Sequence, residues 1–225
     1  MTFLIGVSLL SLIAAADRPP SPPEVQTAVT QAAMTPAAAL ARLKDGNARF
    51  VSNTAKRRDL PAKVLATASG QFPFAVVLGC MDSRSPIELV FDQGIGDVFG
   101  VRVAGNVVND DELGSFEYAV KVGAKLVVVL GHTGCGAVKG AIDDVKLGNL
   151  TGLLAKIRPA VAAAGCAGAK DDACVDKVAE LNVRESMKEI RDKSLYLRKF
   201  LDEGKVGLVG AVYDVATGKV TFLKD

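Results

Sequence analysis

Leu126-Val127-Val128-Val129-Leu130-Gly131-His132-Thr133-Gly134-Cys135 holds five consecutive aliphatic residues, a glycine, and then the single histidine of the chain. An aliphatic run with no polar alternation reads as a strand buried on both faces, as in a parallel sheet covered by helices on either side. Phe74-Ala75-Val76-Val77-Leu78 repeats the pattern and ends at Gly79-Cys80. Asp97 to Val103 and Val206 to Val215 are further strand candidates. Lys219 to Leu223 returns beside the last of these after the turn Ala216-Thr217-Gly218. Helical spacing lies between them, in Leu113 to Val122 (capped by Asn109 or Asp110), Cys135 to Val145, Leu150 to Ala164 and Asp171 to Glu203. Ahead of the strands, Thr35 caps a helix with Pro36 at its first position, running to Val51 as an arm or packing helix. The expected fold is α/β: a mainly parallel central sheet flanked by helices, with an N-terminal helical arm and a C-terminal antiparallel edge strand.

In such a sheet ligands bind beyond the carboxyl ends of the strands. Two short motifs stand there. Cys80-Met81-Asp82-Ser83-Arg84 follows one strand, and His132-Thr133-Gly134-Cys135 ends another. Thiolate and imidazole are zinc's preferred protein donors, and three of them plus an exchangeable position describe a catalytic site. Each residue also has a plainer reading. The two cysteines could be buried apolar groups or a disulfide, His132 a satisfied core histidine, Asp82 a turn cap and Arg84 a surface charge. Convergence of four donor groups on one sheet edge favours one Zn²⁺ per chain held among Cys80, Asp82, His132 and Cys135. Asp82 and Arg84 then form an ion pair beside the metal that keeps the carboxylate ionised and oriented.

These motifs resemble the β-class carbonic anhydrase family. The likeness extends through Arg102-Val103-Ala104-Gly105-Asn106, Gly114-Ser115-Phe116-Glu117-Tyr118-Ala119-Val120, Asn182-Val183 with Ile190-Arg191, and Val209-Gly210-Ala211-Val212-Tyr213-Asp214. It covers roughly residues 35 to 223. It implies zinc held by Cys80, His132 and Cys135, with water or hydroxide in the fourth position attacking carbon dioxide to give bicarbonate and a proton. It implies that Asp82 orients the attacking oxygen with Arg84 behind it. It also allows a resting form in which Asp82 itself ligates zinc. Phe99 and Tyr118 fall where the family places pocket aromatics, often across a dimer interface, although core packing explains them almost as well. Gly134 and Gly136 flank Cys135 and let the backbone approach the metal, placing Gly136 at the substrate pocket's edge. Gln93 lies near the family's substrate glutamine, but Gly94 occupies the matching position. The resemblance further implies a homodimer or higher homo-oligomer. Two rival functions remain open at this level. One is hydrolysis of carbon disulfide or carbonyl sulfide on the same zinc site. The other is a non-catalytic zinc- or bicarbonate-binding module, which would have no need of the Asp82–Arg84 pair.

Composition excludes other classes. Charged residues make up 23% of the 225 and balance to +2, which argues against a nucleic-acid binder, since that needs a basic face to neutralise phosphates. With no tryptophan and 5% aromatics, platforms for base stacking are also missing. The chain has no Cys-x-x-Cys, which argues against thiol-redox catalysis. With one histidine already committed to metal, the product proton must leave by external buffer or a water path past Asp or Tyr groups.

Thr2 to Ala16 is an apolar, uncharged run ending in three alanines, followed by Asp17-Arg18-Pro19-Pro20-Ser21-Pro22-Pro23. It is too short for a membrane span and fits the apolar core of a secretory signal, though the usual leading Lys or Arg is missing. A packed or disordered N-terminal helix is the alternative. The resulting expectation is a signal peptide over 1–16, a Pro-rich spacer over 17–34, a single catalytic domain over 35–225, and a periplasmic or secreted mature protein with no membrane span. Cys166 and Cys174 lie outside the motifs. In an exported chain they could close a loop by a disulfide, and otherwise they are free thiols.

Overall fold

A computed structural model describes residues 24–169 and 171–224. The proposed signal segment lies outside them. Five strands form one sheet in the order β2-β1-β3-β4-β5. They are β1 Ala75–Gly79, β2 Val98–Arg102, β3 Leu126–His132, β4 Gly207–Tyr213 and β5 Val220–Phe222. The first four run parallel, and β5 is antiparallel to β4. Every residue of β1 and β3 is buried, as their unbroken apolar sequence requires. Edge strand β2 has no fully buried residue.

Alternate side chains point to opposite faces of a strand, and each face has its own helical cover. Ala75, Val77, Leu126, Val128 and Leu130 pack with Ala39 and Leu43 of α2 (Pro36–Val51) and with Ile87 and Val90 of α4 (Ile87–Val90). Val76, Leu78, Val127 and Val129 pack under α5 (Asp110–Lys121), α9 (Asp172–Lys193) and α10 (Leu195–Asp202). A third cluster gathers Cys80 and Cys135 with α6 (Gly136–Ile142), α7 (Leu150–Ala155), α8 (Arg158–Ala164) and the start of α9. It lies at the carboxyl ends of β1 and β3. Ala39 and Leu43 are fully buried, so α2 is a packing helix within its own chain.

Several boundaries differ from the sequence expectation. The segment 171–203 is two helices, broken where buried Ser194 turns extended and caps α10 by accepting from the Leu197 N–H. Its hydroxyl is also drawn to Glu117 at 2.6 Å, a tertiary bond that no periodicity reveals. Leu150 to Ala164 likewise splits, with Pro159 in the first turn of α8. The supposed spacer contains α1 (Ala28–Ala32), whose buried Gln31 donates to the Pro73 carbonyl at 2.8 Å. That bond anchors residues ahead of 35 to the domain. Helix α3 (Leu60–Thr67), capped by Asp59, was not expected. Among the described residues, no helix is long and apolar enough to cross a membrane.

Candidate metal centre

Parallel pairing aligns the strand ends. Gly79 of β1 sits opposite Leu130 of β3, and His132 sits opposite Tyr213 of β4. Cys80 therefore leaves β1 beside the last turn of β3, and the loop after His132 folds Cys135 back to cap α6. The Cys80 and Cys135 sulfurs and a His132 ring nitrogen lie within 4.8 Å of one another, all three residues buried. Both cysteines are free thiols.

The His132 ring is set by its neighbours. Nδ1 lies 2.9 Å from the Thr133 carbonyl; a carbonyl only accepts, so Nδ1 carries the proton. That leaves the Nε2 lone pair unprotonated, buried, and without a hydrogen-bond partner among the described residues. For hydrogen bonding the nitrogen thus faces only the two sulfurs, a weak environment in a protein interior and a favourable one for a metal ligand. The thiols reinforce this. A hydrogen bond from Cys135 draws the Cys80 thiol well below its usual range against the cost of burial, helped by His132 and by the Gly105 N–H, 3.3 Å from its sulfur. The same bond and burial push Cys135 up. One thiolate forms readily, and a second beside it needs a cation. The donor set fits zinc, with Cys80, His132 and Cys135 as its holders.

Asp82 stands next to this set without joining it. Its Oδ2 is 3.9 Å from His132 Nε2, while Arg84 donates from Nε to Oδ1 at 2.9 Å and from its terminal nitrogen to Oδ2 at 2.8 Å. This fork holds the Asp82 carboxyl far below the usual carboxylate range, outweighing partial burial. Asp82 lies outside the Cys–His–Cys group in this arrangement, with both carboxylate oxygens engaged by arginine. Phe99 and Tyr118 meet edge to face at 6.1 Å. They line a groove of about 490 Å³ along β2 and α5 whose walls include none of the three donors. Tyr118 is 57% exposed there. Gly136 opens α6, and a side chain there would start in open space. Gln93 is buried, donating to the Phe91 carbonyl and accepting from Arg42.

Residues that support the site escaped the sequence reading. Arg102 donates to the carbonyls of Cys80 and Asp82 at 3.0 and 2.6 Å. Gly105 adopts φ 67, where a side chain would strike Ile157, and so brings its N–H to Cys80. From α9, Asn182 and Ser186 hold the carbonyls of Gly105 and Asn106. Asp176 accepts from the Gly134 N–H. The signal for the Gly105 loop was present in Arg102-Val103-Ala104-Gly105-Asn106; Asp176 carried none.

A parallel α/β sheet with a buried Cys–His–Cys cluster at its strand tips, beside an ion-paired carboxylate, is the build of a single-metal enzyme. Residues 75–220 match the family model for carbonic anhydrase. The chain is 38% identical over 192 residues to a carbonic anhydrase of Mycolicibacterium smegmatis, covering 82% of this chain and 92% of that one. It is 38% identical to carbonic anhydrase 2 of Mycobacterium tuberculosis, with 82% and 91% covered. Among solved structures, it superposes on the β-carbonic anhydrase CafA of Aspergillus fumigatus with TM-score 0.67 at 31% identity, covering 84% and 90%. A tetrameric β-carbonic anhydrase of Sordaria macrospora gives 0.68 at 26%, covering 80% and 94%. The chain belongs to the β-class carbonic anhydrase family, and its enzymatic class is carbonate dehydratase.

Proposed function

We propose that this chain catalyses the reversible hydration of carbon dioxide to bicarbonate at one zinc ion held by Cys80, His132 and Cys135. The observation that carries the reading is the buried Nε2 of His132, which for hydrogen bonding faces, among the described residues, only the two thiols of Cys80 and Cys135. Zinc bound there acts as a Lewis acid that lowers the pKa of water and so makes it a nucleophile near neutral pH. Two thiolates offset the ion's charge, so that lowering is smaller than three neutral imidazoles would give. The chain's own groups do the rest. With the metal bound, Cys80 and Cys135 would both be thiolates, and Thr133 fixes the His132 tautomer. Asp82, kept ionised by Arg84, accepts a hydrogen bond from the attacking oxygen and aims its lone pair at the substrate carbon. The product proton leaves to external buffer, since the chain's one histidine is a ligand.

Intact pairing of Asp82 with Arg84 favours a working site over a non-catalytic binding module, which has no use for an oriented carboxylate. The relative from Sordaria is tetrameric by its description. A homo-oligomer here would have the unpaired edge of β2 and the Phe99–Tyr118 groove as its interface. Export to an oxidising compartment is supported by the bond between Cys166 and Cys174.

Stopped-flow hydration of carbon dioxide by zinc-loaded protein, at mildly alkaline pH, is the test. Wild type should accelerate hydration in proportion to bound zinc, and Asp82→Ala should retain zinc and lose about 100-fold in kcat. No acceleration by a fully zinc-loaded wild type would overturn the proposal.

A further inference from the structure

We propose that Asp176 is a positioning residue for the Cys135 arm of the metal centre, held in place by the Cys166–Cys174 disulfide; this rests on the zinc site proposed above. The loop from His132 to Cys135 has two parts. Thr133 is pinned by β4: its N–H donates to the Tyr213 carbonyl at 2.9 Å, and its hydroxyl accepts from the Val215 N–H at 3.1 Å. Gly134 has no such strand to lean on. Its backbone takes φ 61, and no atom outside its immediate chain neighbours lies within 4 Å of where a side chain would start. Cys135 caps α6 without a side-chain capping bond. Besides the local bonds at the Thr133 and Cys135 carbonyls, the turn is tied by a bond from the Gly134 N–H to Asp176 Oδ1, 3.0 Å long and spanning 42 residues of chain. A carboxylate acceptor makes it charge-assisted and therefore stronger than a neutral bond.

Asp176 lies two residues beyond Cys174, in the first turns of α9. Cys174 is bonded to Cys166, which is buried in the same apolar cluster as Cys80 and Cys135. Between the two half-cystines, the Gly168 N–H donates to the Ile142 carbonyl at the far end of α6. The segment 166–176 thus holds α6 at both ends, at Ile142 through Gly168 and at Gly134 through Asp176. Cutting the disulfide removes one tie on the start of α9, leaving those of Lys177 to Ala164 and Lys139 to Asp172, and loosens the carboxylate. Losing the carboxylate frees the Gly134 turn, so that the Cys135 sulfur leaves the donor set more often.

Transfer of zinc from the fully loaded protein to a chromogenic chelator, followed below the melting temperature, reads this directly. Asp176→Ala should release zinc about tenfold faster, as expected for losing an outer support of a ligand. Asp176→Asn retains an acceptor oxygen but loses its charge, and should fall between wild type and Asp176→Ala. Lys177→Met removes a neighbouring tie, from Nζ to the Ala164 carbonyl at 3.0 Å, and should leave release unchanged. The paired change Cys166→Ser with Cys174→Ser should also speed release, but add nothing in the Asp176→Ala background. Wild-type release from Asp176→Ala, or equal acceleration by Lys177→Met, overturns the proposal. If Asp176→Ala fails to fold, the serine pair decides, and wild-type release from it is likewise fatal. A wild type that binds no zinc at all defeats the metal reading itself, and is told apart by its metal content before any chelator is added.

Discussion

Asp82 and Asp92 stand ten residues apart, and each is gripped by arginine, yet the two sites have opposite designs. The Asp92 side chain is 1% exposed. Arg49 reaches it from α2 at 2.5 Å, Arg58 pairs with it from the following loop, and the Lys56 N–H lies 3.3 Å from both of its oxygens. Every lone pair there faces a donor, and three segments of chain are fastened together. The Asp82 side chain is 17% exposed and its one side-chain partner, Arg84, is 51% exposed. Asp82 also faces a histidine nitrogen that has no partner. A closed ion cluster serves stability, whereas a site for chemistry leaves valency open. Burial alone does not distinguish them; the count of satisfied atoms does.

The sharpest way to break this contrast is to remove a donor from the open site. Cys135→Ser should abolish stoichiometric zinc and lower kcat/KM at least 1,000-fold, roughly 4 kcal/mol in transition-state stabilisation. Its melting temperature without metal should nevertheless stay near that of the metal-free wild type. Metal analysis and calorimetry check both halves.

The closed site should behave in reverse. Asp92→Asn leaves Arg49 and Arg58 without their anion and should cost roughly 3–5 kcal/mol of stability, with kcat of the surviving folded protein unchanged. Burial opposes ionisation of Asp92, but Arg58 and Arg49 prevail and hold its carboxyl below the ordinary range. Its stabilising contribution is therefore present above about pH 4 and is lost as pH falls through the lower folded value. Urea titrations from pH 7 downward should show the Asn penalty shrinking in acid. A penalty that grew in acid would invert the assignment.

The smallest expected effect sharpens the comparison at its hinge. Arg84→Lys preserves charge and loses the two-pronged fork. A fall of about tenfold in kcat, with zinc content and stability intact, would mark orientation of Asp82 as the role of Arg84. An unchanged kcat would reduce Arg84 to a counter-ion.

The sheet was legible because β1 and β3 are buried on both faces and must be apolar throughout. The donor set was legible because cysteine and histidine at strand tips have few other uses. What escaped was whatever depends on one polar contact made across the fold. Ser194 breaks a helix because Glu117 and Leu197 share its hydroxyl. Gln31 makes a spacer part of the domain by reaching Pro73. Nothing in its sequence neighbours marks Asp92, whose burial comes from α2 and the 56–58 loop closing over it. The carboxylate's choice between arginine and metal was also out of reach, since Asp82 has the same neighbours in sequence either way.

The three donors reach the centre from two strands, β1 and β3, that pair in parallel. Parallel neighbours cannot be joined by a tight turn, so the chain between Cys80 and His132 must first cross over, laying down β2 and α5 on the way. An unfolded chain offers a metal ion only the short-range pair His132 and Cys135, a weak grip. Closing the longer loop carries an entropic penalty that sheet formation, rather than metal, has to meet. If the centre holds zinc as proposed, its capture should come late in folding, and the rate at which newly made chains acquire metal should report when β1 docks on β3.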